Sequence, residues 1–287
     1  MALDADRIGK TSRKLRKLMK KAPKRPTADQ VHALRTNIRC LEAASETLGP
    51  NPSRRERRLL RDLRRIRKRA GKVRDMDVLT ADAASLRLAQ EQECAVELLQ
   101  YLGAKRYKHA RRLHAALRQT GKDLGRRVKK FSKRLEKRIP KSSQDPSNGQ
   151  PPAAAEAAAV AIRLSSELKM PPNLTRKNLH PYRLKVKELR EVLRLAEKPA
   201  NPEFIEVLGE VKDAIGDWHD WEELVAIAAR VLNHGASCKL FAKLKEISRE
   251  KYERALSLTT RMRKQFLRSH DRKLPRPVLL ATAQIAS

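Results

Sequence analysis

The chain has 287 residues, and its 66 Lys and Arg against 33 Asp and Glu leave a formal charge of +33, with a pI of about 10.7. We therefore expect a strongly anionic partner. Hydrophobic residues make up 40% of the sequence and recur at helical spacing, which excludes disorder for most of the chain. Aromatic residues make up only 3%, which argues against binding of nucleic acid by base stacking.

The first half begins with a basic lead helix, approximately Ala5 to Lys21, that should stop before Pro23. A second helix places His32, Arg35 and Arg39 on one face, because residues three and four apart lie on the same side of a helix. One position earlier runs an apolar stripe, which predicts the side that faces the core. The members of that stripe are Val31, Leu34, Ile38, Leu41 and Leu48.

A third helix in this half is expected to end at Gly71, where Asp75 and Asp77 follow. An acid just after a glycine that ends a helix is a good N-cap for the next helix, so capping is the favoured role of these acids. Ion pairing that orients the basic row is the alternative. Further along, a third basic cluster is a candidate anion contact or a solvated surface. It comprises Lys105, Lys108, Arg111 and Arg112.

The stretch from Pro140 to Pro152 is rich in residues that stop helices, and it predicts a flexible linker. We assign residues 1–139 to a first helical half, 140–152 to the linker, 153–270 to a second half and 271–287 to a C-terminal tail. Two domains also suit a chain of this length, since soluble domains commonly have about 100–200 residues.

The second half repeats the first in the same order, with a lead helix from Ala153 to Met170. The offset is 148 residues at the histidines and 145 at the first acids, so a tandem duplication is the economical explanation. The repeated basic row comprises His180, Arg183, Lys187, Arg190 and Arg194, beside an apolar stripe of Leu179, Tyr182, Val186, Leu189 and Ala196. The third helix should end at Gly216, before Asp220 and Glu222. The loose counterparts of the third basic cluster are Lys243, Lys245 and Arg249.

Strand patterns are absent, and short connections between helices favour antiparallel neighbours. The predicted fold is therefore all-α, with an up-and-down bundle of four main helices in each half. Both basic rows lie beside the core stripe, where like charges repel unless a polyanion or buried acids compensate them. We interpret the rows as a binding site; the competing interpretation is a solvated face whose cations pair with acids of neighbouring helices.

These motifs resemble the conserved histidine α-helical domain, or CHAD, family. Its halves each carry His-x-x-Arg-x-x-x-Arg on one helix and Gly-x-x-Arg-Asp-x-Asp after the next. Here the first half has His32, Arg35 and Arg39 with Gly71-Lys-Val-Arg74-Asp75-Met-Asp77, and the second has His180, Arg183 and Lys187 with Gly216-Asp-Trp-His219-Asp220-Trp-Glu222. Departures from the family pattern are Cys40 and Glu42 in the first copy and Glu188 and Glu191 in the second.

The resemblance implies two pseudo-symmetric bundles with a basic groove or pore that binds inorganic polyphosphate, often as a module that places proteins on polyphosphate granules. The residues expected to contact the ligand are the two basic rows and the third cluster with its counterparts. The alternative function is nucleic-acid binding, in particular RNA binding, through the same basic surface, and some non-specific nucleic-acid binding is expected at this charge.

No Gly-rich phosphate loop, nucleophile motif or metal-ligand spacing is readable, so we expect no enzyme activity, no cofactor and no metal. Cys40, Cys94 and Cys238 are odd in number and far apart, which indicates neither a disulfide framework nor a zinc site and suits a reducing compartment. No apolar run approaches the ~20 residues that a membrane helix needs. The expected location is the cytoplasm, with no membrane partner; the oligomeric state stays open.

Overall fold

A computed structural model describes residues 5–48, 52–86, 92–138, 152–170, 172–193, 201–232 and 238–267. These residues form eight α-helices with no strand among them, so the all-α prediction is confirmed for the described chain. The helices are α1 (Ala5–Lys20), α2 (Ala28–Leu48), α3 (Arg54–Ser85), α4 (Gln92–Arg138), α5 (Pro152–Lys169), α6 (Arg176–Leu193), α7 (Pro202–Val231) and α8 (Lys239–Met262), and a π-helical turn (Arg263–Leu267) extends α8.

Helix starts follow local chemistry in several places. Ser53 and Glu56 form a capping box at the start of α3, in which each side chain accepts from the other residue's backbone N–H. Asn201 caps α7, and Pro202 occupies the first turn, where a missing N–H costs nothing. Helix α1 ends one residue before its predicted end, and α5 begins and ends one residue before its predicted bounds.

The predicted helix ends at Gly71 and Gly216 are wrong. Helix α3 continues from Gly71 to Ser85, and α7 continues from Gly216 to Val231. One glycine in a long helix costs only about 1 kcal/mol relative to alanine, and flanking apolar residues that pack into the core offset that cost. The N-cap role predicted for Asp75, Asp77, Asp220 and Glu222 is therefore also wrong, since all four lie inside helices.

The described helices pack around three clusters of buried apolar residues. One cluster joins α1, α2, the first part of α3 and the later part of α4, and it includes Leu15, Ile38 and Leu63. A second cluster joins α5 and α6 with the first part of α7 and the later part of α8. Each predicted apolar stripe that the structure describes is buried on the helix concerned, from Val31 to Leu41 and from Leu179 to Leu189.

A third cluster lies where the two halves meet. The C-terminal part of α3 and the start of α4 pack there against the later part of α7 and the start of α8, through residues such as Met76, Leu98, Trp221, Leu224 and Leu244. Contacts of α7 with both α3 and α4 accompany this cluster. The halves therefore share buried apolar core, which fixes the position of one relative to the other.

Several predicted segments lie outside the described residues. Most of the predicted linker falls in the gap from 139 to 151, and the tail from 271 onward is also outside, as is Arg194. The proposed boundaries between halves and linker stay predictions. Within the described chain, no helix combines the length and the apolar character required to cross a membrane.

Candidate functional site

The basic row of α2 lies against α3. Arg35 donates from Nη1 to the carbonyl of Gly71 at 3.5 Å, and the same atom lies 3.5 Å from the carboxylate of Asp75. Arg39, one turn further along, is exposed. His32 is also exposed, and its Nε2 lies 3.4 Å from the hydroxyl of Thr36. The row is therefore anchored at Arg35 and open to solvent at both flanking positions.

The basic row of α6 lies against α7 in a similar way. The Nε of Arg183 donates to the carbonyl of Lys212 at 3.0 Å, and the Nε of Arg190 donates to the carbonyl of Ile205 at 3.2 Å. Both arginines are half-buried, as is Lys187 between them. Carbonyl bonds to Nε leave the outer nitrogens of each guanidinium available to a ligand.

Glycines on the facing helices make room for these arginines. A Cβ built on Gly216 would lie 2.5 Å from an Nη atom of Arg183, and one on Gly209 would lie 3.1 Å from the Nε of Arg190. At Gly71 the nearest atom of Arg35 would be 3.9 Å away, which is ordinary contact. Gly216, which the sequence analysis predicted as a helix end, therefore allows the guanidinium of Arg183 to lie close to α7.

The two basic rows approach each other across the halves. Burial, and then the nearby guanidinium of Arg39, lower the pKa of Lys187 to about 8. Partial burial also lowers the pKa of Arg39, together with cations of α2, α3 and α6, namely Arg35, Arg67 and Arg183. Like charges lower each other's pKa only when they are close, so α2 and α6 bring their cations to one place. Arg39 and Lys187, at matching positions of the two repeats, thus lie near each other.

Arg67 is a member of this group that sequence reasoning missed. Its Nε lies 2.8 Å from a carboxylate oxygen of the buried Glu42, and its charge contributes to the lowered pKa values of Arg39 and Lys187. A usable signal was present, since Arg67 and Lys212 each stand four residues before a repeat glycine and so share its helix face.

His180 pairs with His219 of α7 rather than with the basic row alone. Their ring centroids are 4.2 Å apart, and burial followed by the neighbouring His219 lowers the pKa of His180. Asp220, whose carboxylate lies 3.7 Å from the Nδ1 of His219, raises the pKa of His219. The Nδ1 of His180 is buried without a hydrogen-bond partner in the described structure. Neutral His180 beside a more basic His219 is the resulting arrangement.

The four acids predicted as caps act in ion pairs instead. Asp75 pairs with Arg35 in the basic row, while Asp77 accepts from Arg106, which also donates to the carbonyl of Pro26. Glu222 accepts from Arg176 and from the hydroxyl of Ser248. Only Asp75 therefore has an ion pair with the basic row itself, among the contacts that the structure describes.

Several acidic side chains lie near the cations, along the contact of α3 with α7. Burial, and then Asp220 and Asp217 across the contact, raise the pKa of Asp82 to about 6. Burial also raises the pKa of Asp75 and of Glu223. Acids of the two halves are close enough to disfavour each other's charge, so this contact carries repulsion at neutral pH, which cations such as Arg35 and Lys251 relieve in part.

The third basic cluster on α4 has its own neighbours. Lys105 lies over the ring of Tyr101, Arg111 over that of Tyr107, and Lys108 and Arg112 are exposed. Burial lowers the pKa of His109, as do Lys72 of α3 and then Arg112, Lys105 and Lys108, which places His109 close to α3. No described interaction joins the cluster to the basic row of α2.

In the second half, Lys245 and Arg249 border a cavity of about 520 Å³ together with Arg176 and Glu222. Arg176 belongs to α6 and precedes His180 by one helical turn. The counterpart cluster is therefore adjacent to the start of the helix that carries the second basic row.

The geometry defines an all-helical protein whose two halves bring cations of α2 and α6 near each other. A family model for the CHAD domain matches residues 8–229, so the chain belongs to the CHAD domain family. Among solved structures, the chain is similar to PptA from Streptomyces chartreusis, with a TM-score of 0.60 at 16% identity, over 91% of this chain and 98% of that one. That likeness supports the fold. Among curated proteins, no sequence matched.

Proposed function

We propose that the chain binds inorganic polyphosphate in a basic groove between two four-helix bundles, and that it does so without a chemical reaction. The observation that carries the proposal is the proximity of Arg39, Arg67, Arg183 and Lys187, which come from both halves. After burial, Arg67 and Arg183 lower the pKa of Arg39, and all three arginines lower the pKa of Lys187. Membership of the CHAD family supports polyphosphate as the ligand.

Repulsion among the clustered cations raises the free energy of the protein without ligand, and a bound polyanion would relieve that repulsion. Among the described contacts, no ion pair with an acid involves Arg39, Arg183 or Lys187. Glu42 raises the pKa of Arg39 and Glu191 raises that of Lys187, but burial and the neighbouring cations outweigh both acids. A linear polyphosphate offers only phosphate oxygens, so a receptor needs Arg and Lys spaced along a groove and no platform for bases. Arg binds phosphate through two parallel N–H bonds and Lys acts as a point charge, and both types are present.

We propose that the central contact is made by Arg35, Arg39, Arg183, Lys187 and Arg190, together with Arg67. His32 and His180 extend this line at the start of each row. Lys245 and Arg249 extend it past Arg176, because the three border one cavity. An outer basic surface attracts the polyphosphate before it binds in the groove. It comprises Lys105, Lys108, Arg111 and Arg112.

Nucleic acid is the competing ligand class, and the burial of both tryptophans argues against it. Trp218 and Trp221 are 3% and 6% exposed, so neither can stack on a base. A competition assay separates the two ligands. Fluorescent long-chain polyphosphate bound to the wild-type chain is titrated with RNA or with unlabelled polyphosphate at equal phosphate concentration. We expect unlabelled polyphosphate to displace the probe at far lower concentration; equal displacement by RNA would refute the proposal.

The proposed role is capture, for instance on polyphosphate granules, rather than turnover. Release of inorganic phosphate from the bound polymer, measured with and without Mg²⁺, should equal that of polymer alone. Phosphate release that follows the protein concentration would overturn the non-catalytic part of the proposal and leave the binding part intact.

A further inference from the structure

The thiols of Cys94 and Cys238 lie next to each other at the contact between the halves. Cys94 is in the first turn of α4 and Cys238 immediately precedes α8, yet their Sγ atoms are 3.5 Å apart. Both side chains are buried, at 4% and 2% exposure, within the central apolar cluster. The sequence separation of 144 residues gave no indication of this contact, and the sequence indicated no disulfide framework.

Duplication explains why they meet. The two cysteines occupy nearly matching positions of the repeat, since their separation differs by a single residue from the offset of the acids Asp75 and Asp220. Those two acids also interact across the halves, as do Arg39 and Lys187. Where two similar units pack by a two-fold relation, residues near the axis meet their own counterparts. A cysteine at such a position therefore supplies its own partner.

The geometry allows a disulfide with little movement. A disulfide bond is 2.03–2.05 Å long, so the two sulfur atoms would need to approach by roughly 1.5 Å. Cys238 is the N-cap of α8, and its carbonyl accepts from the backbone N–H of Ala242 at 3.0 Å. The two sulfur atoms must therefore approach mainly by side-chain rotation, which leaves that backbone bond in place. Cys94 lies in the first turn of α4, where backbone N–H groups lack intrahelical acceptors.

One thiol is also better placed to react. The Sγ of Cys238 accepts a hydrogen bond from the backbone N–H of Phe241 at 3.4 Å, at the N-terminus of α8. N–H groups at a helix N-terminus stabilise the negative charge on a sulfur that attacks an oxidant. Cys94, in contact with it, is then the thiol that resolves the oxidised sulfur.

We propose that Cys94 and Cys238 form a peroxide-responsive disulfide that joins α4 of the first half to α8 of the second. The Cys238 thiolate attacks hydrogen peroxide, which gives a sulfenic acid and hydroxide. The Cys94 sulfur then attacks that sulfur, the S–S bond forms, and the sulfenic oxygen leaves as water. Two thiols thus lose two electrons and two protons, and one peroxide becomes two waters.

Closing this bond makes a covalent ring of the chain between the two cysteines, which contains most of α4 and all of α5, α6 and α7. The halves can then no longer separate at the central cluster without breaking a covalent bond. The oxidised form should unfold at a higher urea concentration than the reduced form, because a long closed loop restricts the unfolded chain. This inference does not depend on the identity of the anionic ligand.

The test uses the full chain with Cys40→Ser, which keeps the pair and removes the remaining thiol. Cys40 lies on α2, with its Sγ 3.6 Å from the hydroxyl of Thr11, and is not part of the central cluster. The folded protein is exposed to hydrogen peroxide, blocked with N-ethylmaleimide and digested with trypsin without reductant. We expect a linked species of peptides 88–105 and 231–239 that dithiothreitol separates, and loss of both free thiols together.

The controls make each outcome decisive. Cys94→Ser should leave Cys238 as a sulfenic acid that a dimedone probe labels, and Cys238→Ser should leave Cys94 mostly reduced. If Cys40→Ser links the peptides only after urea unfolding, or forms only sulfinic acid or links between chains, the proposal is wrong. A urea midpoint that is equal for the oxidised and reduced Cys40→Ser protein would contradict the tie between the halves.

Discussion

Substitution of Gly216 by alanine perturbs the second basic row without removing a charge. The new Cβ would lie 2.5 Å from an Nη atom of Arg183 and 2.9 Å from its Cζ, closer than Cβ contacts normally come. The guanidinium must therefore move, which breaks its 3.0 Å bond to the carbonyl of Lys212. A lost bond to a charged group costs about 1.5–3 kcal/mol, while replacing an interior helix glycine by alanine returns about 1 kcal/mol.

The expected net destabilisation by Gly216→Ala is therefore small, about 0.5–2 kcal/mol. Polyphosphate affinity should fall about tenfold at low salt, which corresponds to 1.4 kcal/mol, because Arg183 no longer presents its guanidinium to the groove. Gly71→Ala is the matched control, since its Cβ would be 3.9 Å from Arg35. That variant should bind within about twofold of wild type and gain up to ~1 kcal/mol from helix propensity. Equal affinities for the two folded variants, measured by calorimetry, would refute the reasoning.

Other changes test the charges and the shared core. The pKa of Lys187 in the protein without ligand is about 8, so polyphosphate affinity at fixed salt should decline as pH rises from 7 to 9.5. Lys187→Arg should flatten that decline. A pH profile that this substitution leaves unchanged would exclude Lys187 from the site. The pKa of Asp82, raised to about 6, makes the folded state hold its proton more tightly than the unfolded state, so stability is lost as pH rises through about 4 to 6. Asp82→Asn should therefore raise the urea midpoint at pH 7 and weaken this pH dependence; a lower midpoint at pH 7 would contradict the repulsion. Leu224 is fully buried between the halves, so Leu224→Ala should lower the free energy of unfolding by about 2–5 kcal/mol, measured with urea. A decrease below about 1 kcal/mol would contradict a packed central core.

Helical periodicity predicted most of the fold because one face of each helix is buried. The stripes led by Val31 and Leu179 were identified as core and are buried, and the lead helices ended close to their prolines. Gly71 and Gly216 misled the prediction, since a glycine in a sequence has the same appearance at a helix end as at a close contact inside a helix. Only the three-dimensional position of Arg183 distinguishes these cases.

The contact between the halves was beyond sequence reasoning for a different reason. Periodicity assigns a residue to a face of its own helix, and it does not say which distant helix covers that face. The repeat identified Arg39 and Lys187 as equivalents, but their meeting depends on how the halves pack. Arg67 could have been found from its position on the glycine face of α3, whereas the contact of Cys94 with Cys238 could not.

Calorimetry of long-chain polyphosphate binding at two or more salt concentrations tests the proposed site most directly. The variant replaces Arg39, Arg183 and Lys187 by alanine, and its control removes the same charge from exposed positions of α4 with Lys122, Lys130 and Lys133→Ala. If each groove cation neutralises one phosphate, the first variant should lose about 2 from the slope of log K against log salt, at ~0.7 per charge on a single strand. The control should keep nearly the wild-type affinity and slope. Equal losses in the two variants, with helical spectra retained, would mean that diffuse surface charge and not the meeting of the two rows holds the ligand.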